Sequence, residues 1–209
     1  DPQADVWIVL DALSGVHLGL PYQPYASQQK EQFWVLPHRI EIPLPPDTFE
    51  YAVSAAASIA NYYIQTGQAV GFASDGSHLT VIQAERGERQ LGKILETCAF
   101  LKPEGRLPLL GIIEGQANQI VRGSTVVLVS ASNSDNMVLA VDVLLRKDLR
   151  PIVVLIDPGG FGSSTDSNEI AERIRQYGVP VTLIHKDDSI QGALEGSLDR
   201  RILPESMAK

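Results

Sequence analysis

The stretch VWIVLDALSG, residues 6–15, decides how the rest of the chain is read. Its apolar run ends in Asp11, after which small and polar residues turn the chain. A strand that is apolar on both faces is buried on both faces, as in a parallel sheet. An aspartate closing such a strand serves as a metal ligand, a nucleophile or a cap for the next turn, and its neighbours must decide between these.

The same pattern recurs outward from this stretch. AVGFAS at 69–74, STVVLVS at 124–130, PIVVLID at 151–157 and VPVTLIH at 179–185 are short runs rich in β-branched residues. The segments between them have a period near 3.6. Ala52, Ala56, Ile59, Ala60 and Tyr63 share one helical stripe, with Gly67 as a stop. Met137, Val138, Val141, Leu144 and Leu145 form another, preceded by Asp135 and followed by Arg146 and Lys147, which suit the helix dipole. In DSNEIAERIRQYGVP, Asp166 and Glu169 read as a capping pair, and Gly178 with Pro180 ends the element. Strand and helix therefore alternate, which predicts an α/β fold: a three-layer sandwich around a doubly wound, mainly parallel sheet, in a single domain over 1–209.

Two regions break the rhythm. The proline-rich segment 18–48 contains HRIEIPL, which reads as an extended or edge strand. In SDGSHLTVIQAERG, Asp75-Gly76 is a turn between two strand-like runs.

The chain has 209 residues, 44% of them hydrophobic, and 17 Lys and Arg stand against 25 Asp and Glu for a net charge of −8. A phosphate backbone would be repelled, which argues against nucleic acid as partner. No apolar run approaches the ~20 residues of a membrane helix, so this stretch does not itself span a membrane. It opens on DPQADV, with Asp in place of Met and no features of a secretory signal, which suggests a piece of something longer. The single cysteine, Cys98, sits on the apolar stripe of LGKILETCAFL and reads as core.

In an open parallel sheet, ligands gather at the carboxyl ends of the strands where the winding reverses. Those ends offer Asp11, Asp75, Ser130 with Ser132, and Asp157. If the first strand neighbours the one at 124–130, Asp11, Ser14, Ser130, Ser132 and Asp135 face one crevice of hard oxygens, the ligand type magnesium favours. Against that stands the ordinary use of Asp and Ser at strand ends, which is capping. A phosphatase of the haloacid-dehalogenase type would need a second acid two residues after Asp11, where Leu13 stands. DPGGFGSSTDS at 157–167 fits neither phosphate-binding glycine pattern and lacks a lysine. His17, His38, His78 and His185 are scattered without the spacing of a zinc site.

The element order and several strings resemble the C-terminal, von Willebrand factor A-like region of the bacterial domain-of-unknown-function fifty-eight family. The strings are DVWIVLDALS, EYAVSAAASIANYYIQTGQAVGFAS, ERGERQLGKILETCAFL, STVVLVSAS and LRPIVVLID followed by YGVPVTLI, and ERGERQL is the most specific of them. The resemblance covers nearly the whole chain. It implies the soluble cytoplasmic part of a longer protein anchored in the bacterial inner membrane, with a MoxR-type AAA ATPase as partner. Related A domains bind a divalent cation through Asp-x-Ser-x-Ser, a Thr on a second loop and a later Asp. Carried over, Asp11 matches the first ligand, whereas Leu13 and Gly15 replace both serines and Ser14 is out of step by one. SASNSD displaces Asp135 and leaves Ser130 or Ser132 nearer, and the Thr position falls at 85–90, which holds no Thr.

The expectation is a protein-binding or scaffold module with a degenerate metal-ion-dependent adhesion site, neither an enzyme nor dependent on a cofactor. Its polar crevice is expected from Asp11, Ser14, Ser130, Ser132 and Asp135. Two alternatives are a metal-assisted hydrolase built on Asp11 and Asp135, and an oligomerisation domain whose edge strand pairs with itself.

Overall fold

The computed structural model of the chain describes residues 5–22 and 44–195. The HRIEIPL segment expected to be extended falls almost wholly outside them. The elements run in the order β1 (Val6–Leu10), α1 (Thr48–Gln65), β2 (Val70–Asp75), β3 (Leu79–Glu85), α2 (Glu88–Phe100), α3 (Leu109–Gln116), β4 (Thr125–Ser130), α4 (Asp135–Arg146), β5 (Arg150–Ile156), α5 (Asn168–Arg175) and β6 (Val181–Ile184). No helix among the described residues is long and apolar enough to cross a membrane.

The strands form one sheet in the order β3-β2-β1-β4-β5-β6. All neighbours are parallel except β2 and β3, which form an antiparallel hairpin at the edge. The predicted alternation of strand and helix thus gives the predicted three-layer α/β sandwich. Alternate residues of each strand point to opposite faces. Val6, Ile8 and Leu10 pack with α1 and α2 in one core, whereas Trp7 and Val9 pack with α3, α4 and α5 in the other. Between them the two cores take up all five residues of β1, each of which is buried. Covering apolar groups on this scale is the dominant drive for the fold.

Local chemistry accounts for the joints. Asp47 caps α1 by accepting from the Phe49 N–H at 2.7 Å. The helix ends at Gln65, just before the expected stop at Gly67. Gly71 lies directly opposite Trp7 on β1, and a Cβ there would stand 2.7 Å from the indole ring. The glycine is what lets that tryptophan lie across β2. The specific ERGERQL segment serves the architecture, because buried Gln90 donates through Nε2 to the carbonyls of Val70 and Gln83, both at 2.7 Å. The β2–β3 register shifts between Val70 and Phe72, so the amide bridges the two strands where their ladder is irregular. Cys98 is buried in the α1–α2 core, and burial pushes its thiol up to about 11.

Three local expectations need correction. Leu145 is 39% exposed, because the buried stripe of α4 runs through Met137, Val138, Ala140, Val141 and Leu144. Asp166 accepts from the Asn168 N–H at 3.0 Å, a turn one residue ahead of α5, whose cap position is Ser167. The helix α3 has no counterpart among the predicted elements.

Candidate functional site

β1 pairs with β2 on one side and with β4 on the other. The winding therefore reverses between β1 and β4, and the crevice at their carboxyl ends is where such sheets collect ligands. Asp11 leaves β1 there and Ser130 ends β4. Asp11 is 2% exposed. Its Oδ1 accepts from the Leu13 N–H at 3.0 Å, and its Oδ2 accepts from the Ser130 hydroxyl at 2.6 Å. Ser130 Oγ accepts in turn from the Ser132 N–H at 2.9 Å. Hydrogen bonds to a carboxylate are among the stronger kind, so this chain of three residues ties two loops together.

The expected site residues do not all meet. Asp11, Ser130 and Ser132 share the crevice, together with Leu13, Pro108, Leu109, Ser134, Asn136 and Met137. Ser14 is exposed, and its N–H donates to the Gly105 carbonyl at 2.9 Å. The Asp135 carboxylate turns away to the Arg173 guanidinium, 2.5 Å distant on α5. The crevice encloses about 10 Å³, the scale of a single water.

The third wall comes from the loop ahead of α3. Gly105 pairs with Leu13 in an isolated bridge, and its N–H donates to the Ala12 carbonyl at 2.9 Å. Asp75, at the end of β2, accepts from the N–H groups of Arg106 and Leu107 through one oxygen, both at 2.8 Å. A Cβ at Gly105 would lie 2.0 Å from the Asp75 carbonyl oxygen, so no other residue fits that crossing unmoved. The 85–90 segment, where the resemblance places a threonine ligand, begins opposite Val70 at the amino end of β2. It is therefore at the other end of the strands from Asp11.

Asp157 behaves as Asp11 and Asp75 do. Its Oδ1 accepts from the buried Ser167 N–H at 2.9 Å, while Ser167 Oγ donates to Asn133 at 2.7 Å. These three buried aspartates, each closing a strand of the sheet, thus accept backbone N–H groups of the loops around them.

A histidine supports the first loop from below. His17 Nε2 lies 2.9 Å from the Asp11 carbonyl and Nδ1 lies 3.2 Å from Thr48 Oγ1. Thr48 Oγ1 already accepts from the Leu18 N–H at 2.9 Å, so its hydroxyl hydrogen is available to Nδ1. This arrangement suits a neutral ring that donates from Nε2. Burial lowers the His17 pKa, opposed by the bond to Asp11 and by the charges of Asp11 and Asp47.

No protein-family profile matches the chain, and no curated protein matches it significantly in sequence. Solved structures do. The conserved hypothetical protein BatB of Bacteroides thetaiotaomicron is similar with a TM-score of 0.57 at 13% identity, over 94% of this chain and 97% of that one. An aerotolerance-related membrane protein of Bacteroides fragilis, carrying multiple mutations to serine, reaches a TM-score of 0.60 at 14% identity, over 95% of this chain and 100% of that one. The fold is von Willebrand factor A-like. The manganese-loaded TRAP protein of Plasmodium vivax is similar at a TM-score of 0.48 and 13% identity, over 90% of this chain and 71% of that one.

The resemblance noted above implies a divalent cation at the loop after β1, and the donors of this crevice do not fit one. Magnesium takes near-octahedral oxygen ligation. This crevice offers one carboxylate with both oxygens accepting hydrogen bonds, and its other walls include Leu13, Pro108, Leu109 and Met137. Among the described residues no group of three or more His, Cys, Asp or Glu side chains is placed to hold a metal.

Proposed function

We propose that the chain is a protein-recognition module of the von Willebrand factor A type in which the adhesion-site cation has been replaced by an internal hydrogen-bond network. The observation that carries this reading is the double commitment of the Asp11 carboxylate, to Leu13 and to Ser130. The partner-facing surface is the carboxyl edge of the sheet, with the crevice between Leu13, Ser132, Ser134, Asn136 and Pro108 at its centre. Ser132 and Ser134 share a hydrogen bond at 2.9 Å and present hydroxyls to an incoming group.

The strings DVWIVLDALS and ERGERQL support membership of the domain-of-unknown-function fifty-eight family. On that footing the protein is anchored in a bacterial inner membrane, faces the cytoplasm and works with a MoxR-type AAA ATPase. The description of the Bacteroides fragilis neighbour as a membrane protein agrees with an anchored protein. The chain forms a single domain and is not an enzyme. A hydrolase built on Asp11 and Asp135 would need both carboxylates at the reacting group, and the ion pair with Arg173 draws Asp135 elsewhere.

Mixing the chain with the purified MoxR-type ATPase of the same genome, in EDTA and in magnesium, tests this reading by sedimentation. The expected result is a complex of the same affinity in both buffers, weakened by Asn136→Arg. A complex that forms only with the cation contradicts it.

A further inference from the structure

The two edges of the sheet are treated differently. β6 has four residues, follows Pro180, and has the Arg175 guanidinium on its Val181 carbonyl at 3.4 Å. Those are ordinary ways of closing an edge. β3 has seven residues and pairs, among the described residues, with β2 alone. From Leu79 to Ala84 it carries no charge and no proline, and its register with β2 runs straight from Leu79 to Ile82. Over Leu79–Ile82 an edge of this kind presents outward N–H and C=O groups, whereas the Gln83 carbonyl beyond it is taken by Gln90.

Beside that edge lies a groove of about 450 Å³ between β3 and α2. Thr80 and Ile82 form one wall, and Lys93, Glu96, Thr97 and Phe100 form the other. Phe100 is 79% exposed, the most exposed large apolar side chain among the described residues. Lys93 is already paired with Glu85 at 2.7 Å. Glu96 lines the same groove, and Lys102 with His78 stands at its far end, so it offers charged groups of both signs beside the apolar ones.

We infer that β3 and the β3–α2 groove receive an extended segment of a partner protein, added as a further strand. Backbone bonds to the β3 edge hold it, alternate apolar side chains cover Ile82 and Phe100, a basic residue meets Glu96 and an acidic residue meets Lys102. A second copy of this chain is a poorer occupant, since each copy carries a net charge of −8. The surface is separate from the Asp11 crevice, so its failure leaves the reading of that crevice untouched.

Fluorescence anisotropy with two labelled octapeptides, Lys-Val-Thr-Val-Thr-Val-Thr-Asp and its reversed sequence, tests the inference. One direction is expected to bind saturably, and N-methylation of alternate peptide amides to weaken it more than about tenfold. Phe100→Asp should weaken it by a similar factor with an unchanged circular dichroism spectrum, whereas Tyr177→Ser, beyond the opposite edge, should not. Absence of saturable binding by either peptide overturns the inference, as does equal binding by the N-methylated peptide or by F100D. A dimer in sedimentation that F100D dissociates also overturns it, by placing a second copy on the edge.

Discussion

Asp11 Oδ2 and Ser130 Oγ stand 2.6 Å apart although 119 residues separate them along the chain, and both are buried. The bond closes the point where the sheet reverses its winding, where a ligand would otherwise find an open carboxylate. Removing one partner of a buried hydrogen bond to a charged group costs the desolvation of what remains. Ser130→Ala is therefore expected to lower stability by about 1–3 kcal/mol. In a urea double-mutant cycle with Asp11→Asn, the two losses should be strongly non-additive. Additive losses would show that the contact contributes nothing.

The crossing at Gly105 predicts a steric effect. Gly105→Ala puts a methyl group 2.0 Å from the Asp75 carbonyl oxygen and 2.8 Å from that of Ala12. The loop must move, and the N–H bonds of Arg106 and Leu107 to Asp75 go with it. Amide hydrogen exchange at those two residues should quicken well beyond any change in the core of β4. Gly71→Ala, which meets the Trp7 ring instead, should cost about 1–3 kcal/mol of overpacking and leave the Arg106 and Leu107 amides protected.

His17 ties stability to pH. Its folded pKa lies below the ordinary 6.5, so between the two values the unfolded chain binds more protons than the folded one. Stability is then fully present above pH 6.5 and declines as the pH falls from there toward the folded pKa. Protonation would also set a second ring hydrogen against the Thr48 hydroxyl. Urea midpoints measured from about pH 8 to about pH 5 should fall, and the fall should be shallower in His17→Gln. Parallel curves for the two proteins would assign the titration elsewhere.

Cys98 should behave as a core residue toward reagents. With its pKa raised to about 11 and the thiol buried, it should react with a disulfide reagent at about pH 8 only as fast as the protein opens. The rate should rise to that of a free thiol in denaturant.

The parts of the fold legible in the sequence are those where one period dominates. β1, β4 and β5 are apolar on both faces, and α1 and α4 carry clean stripes, so type and order follow from spacing. α3 escapes for a physical reason: it has eight residues, apolar nearly all round, with Gly111 and Gly115 inside and Pro108 before it. The site divides in the same way. Asp11 and Ser130 are readable because both close buried strands. The wall at 105–109 is not, since it is held through backbone N–H groups that leave no side-chain signature. The turn of Asp135 toward Arg173 depends on how α4 and α5 pack, which no local pattern encodes. Ser134 and Asn136 lie in and beside the SASNSD string, and their position next to Ser132 is the signal that could have added them to the crevice.

The most direct test is calorimetric titration of the metal-free chain with magnesium and then with manganese at neutral pH. A carboxylate already engaged by Leu13 and Ser130 should give no saturable heat below millimolar cation, in the native chain and in Asp11→Ala alike. Micromolar binding that disappears in Asp11→Ala would contradict the account and restore a working metal site.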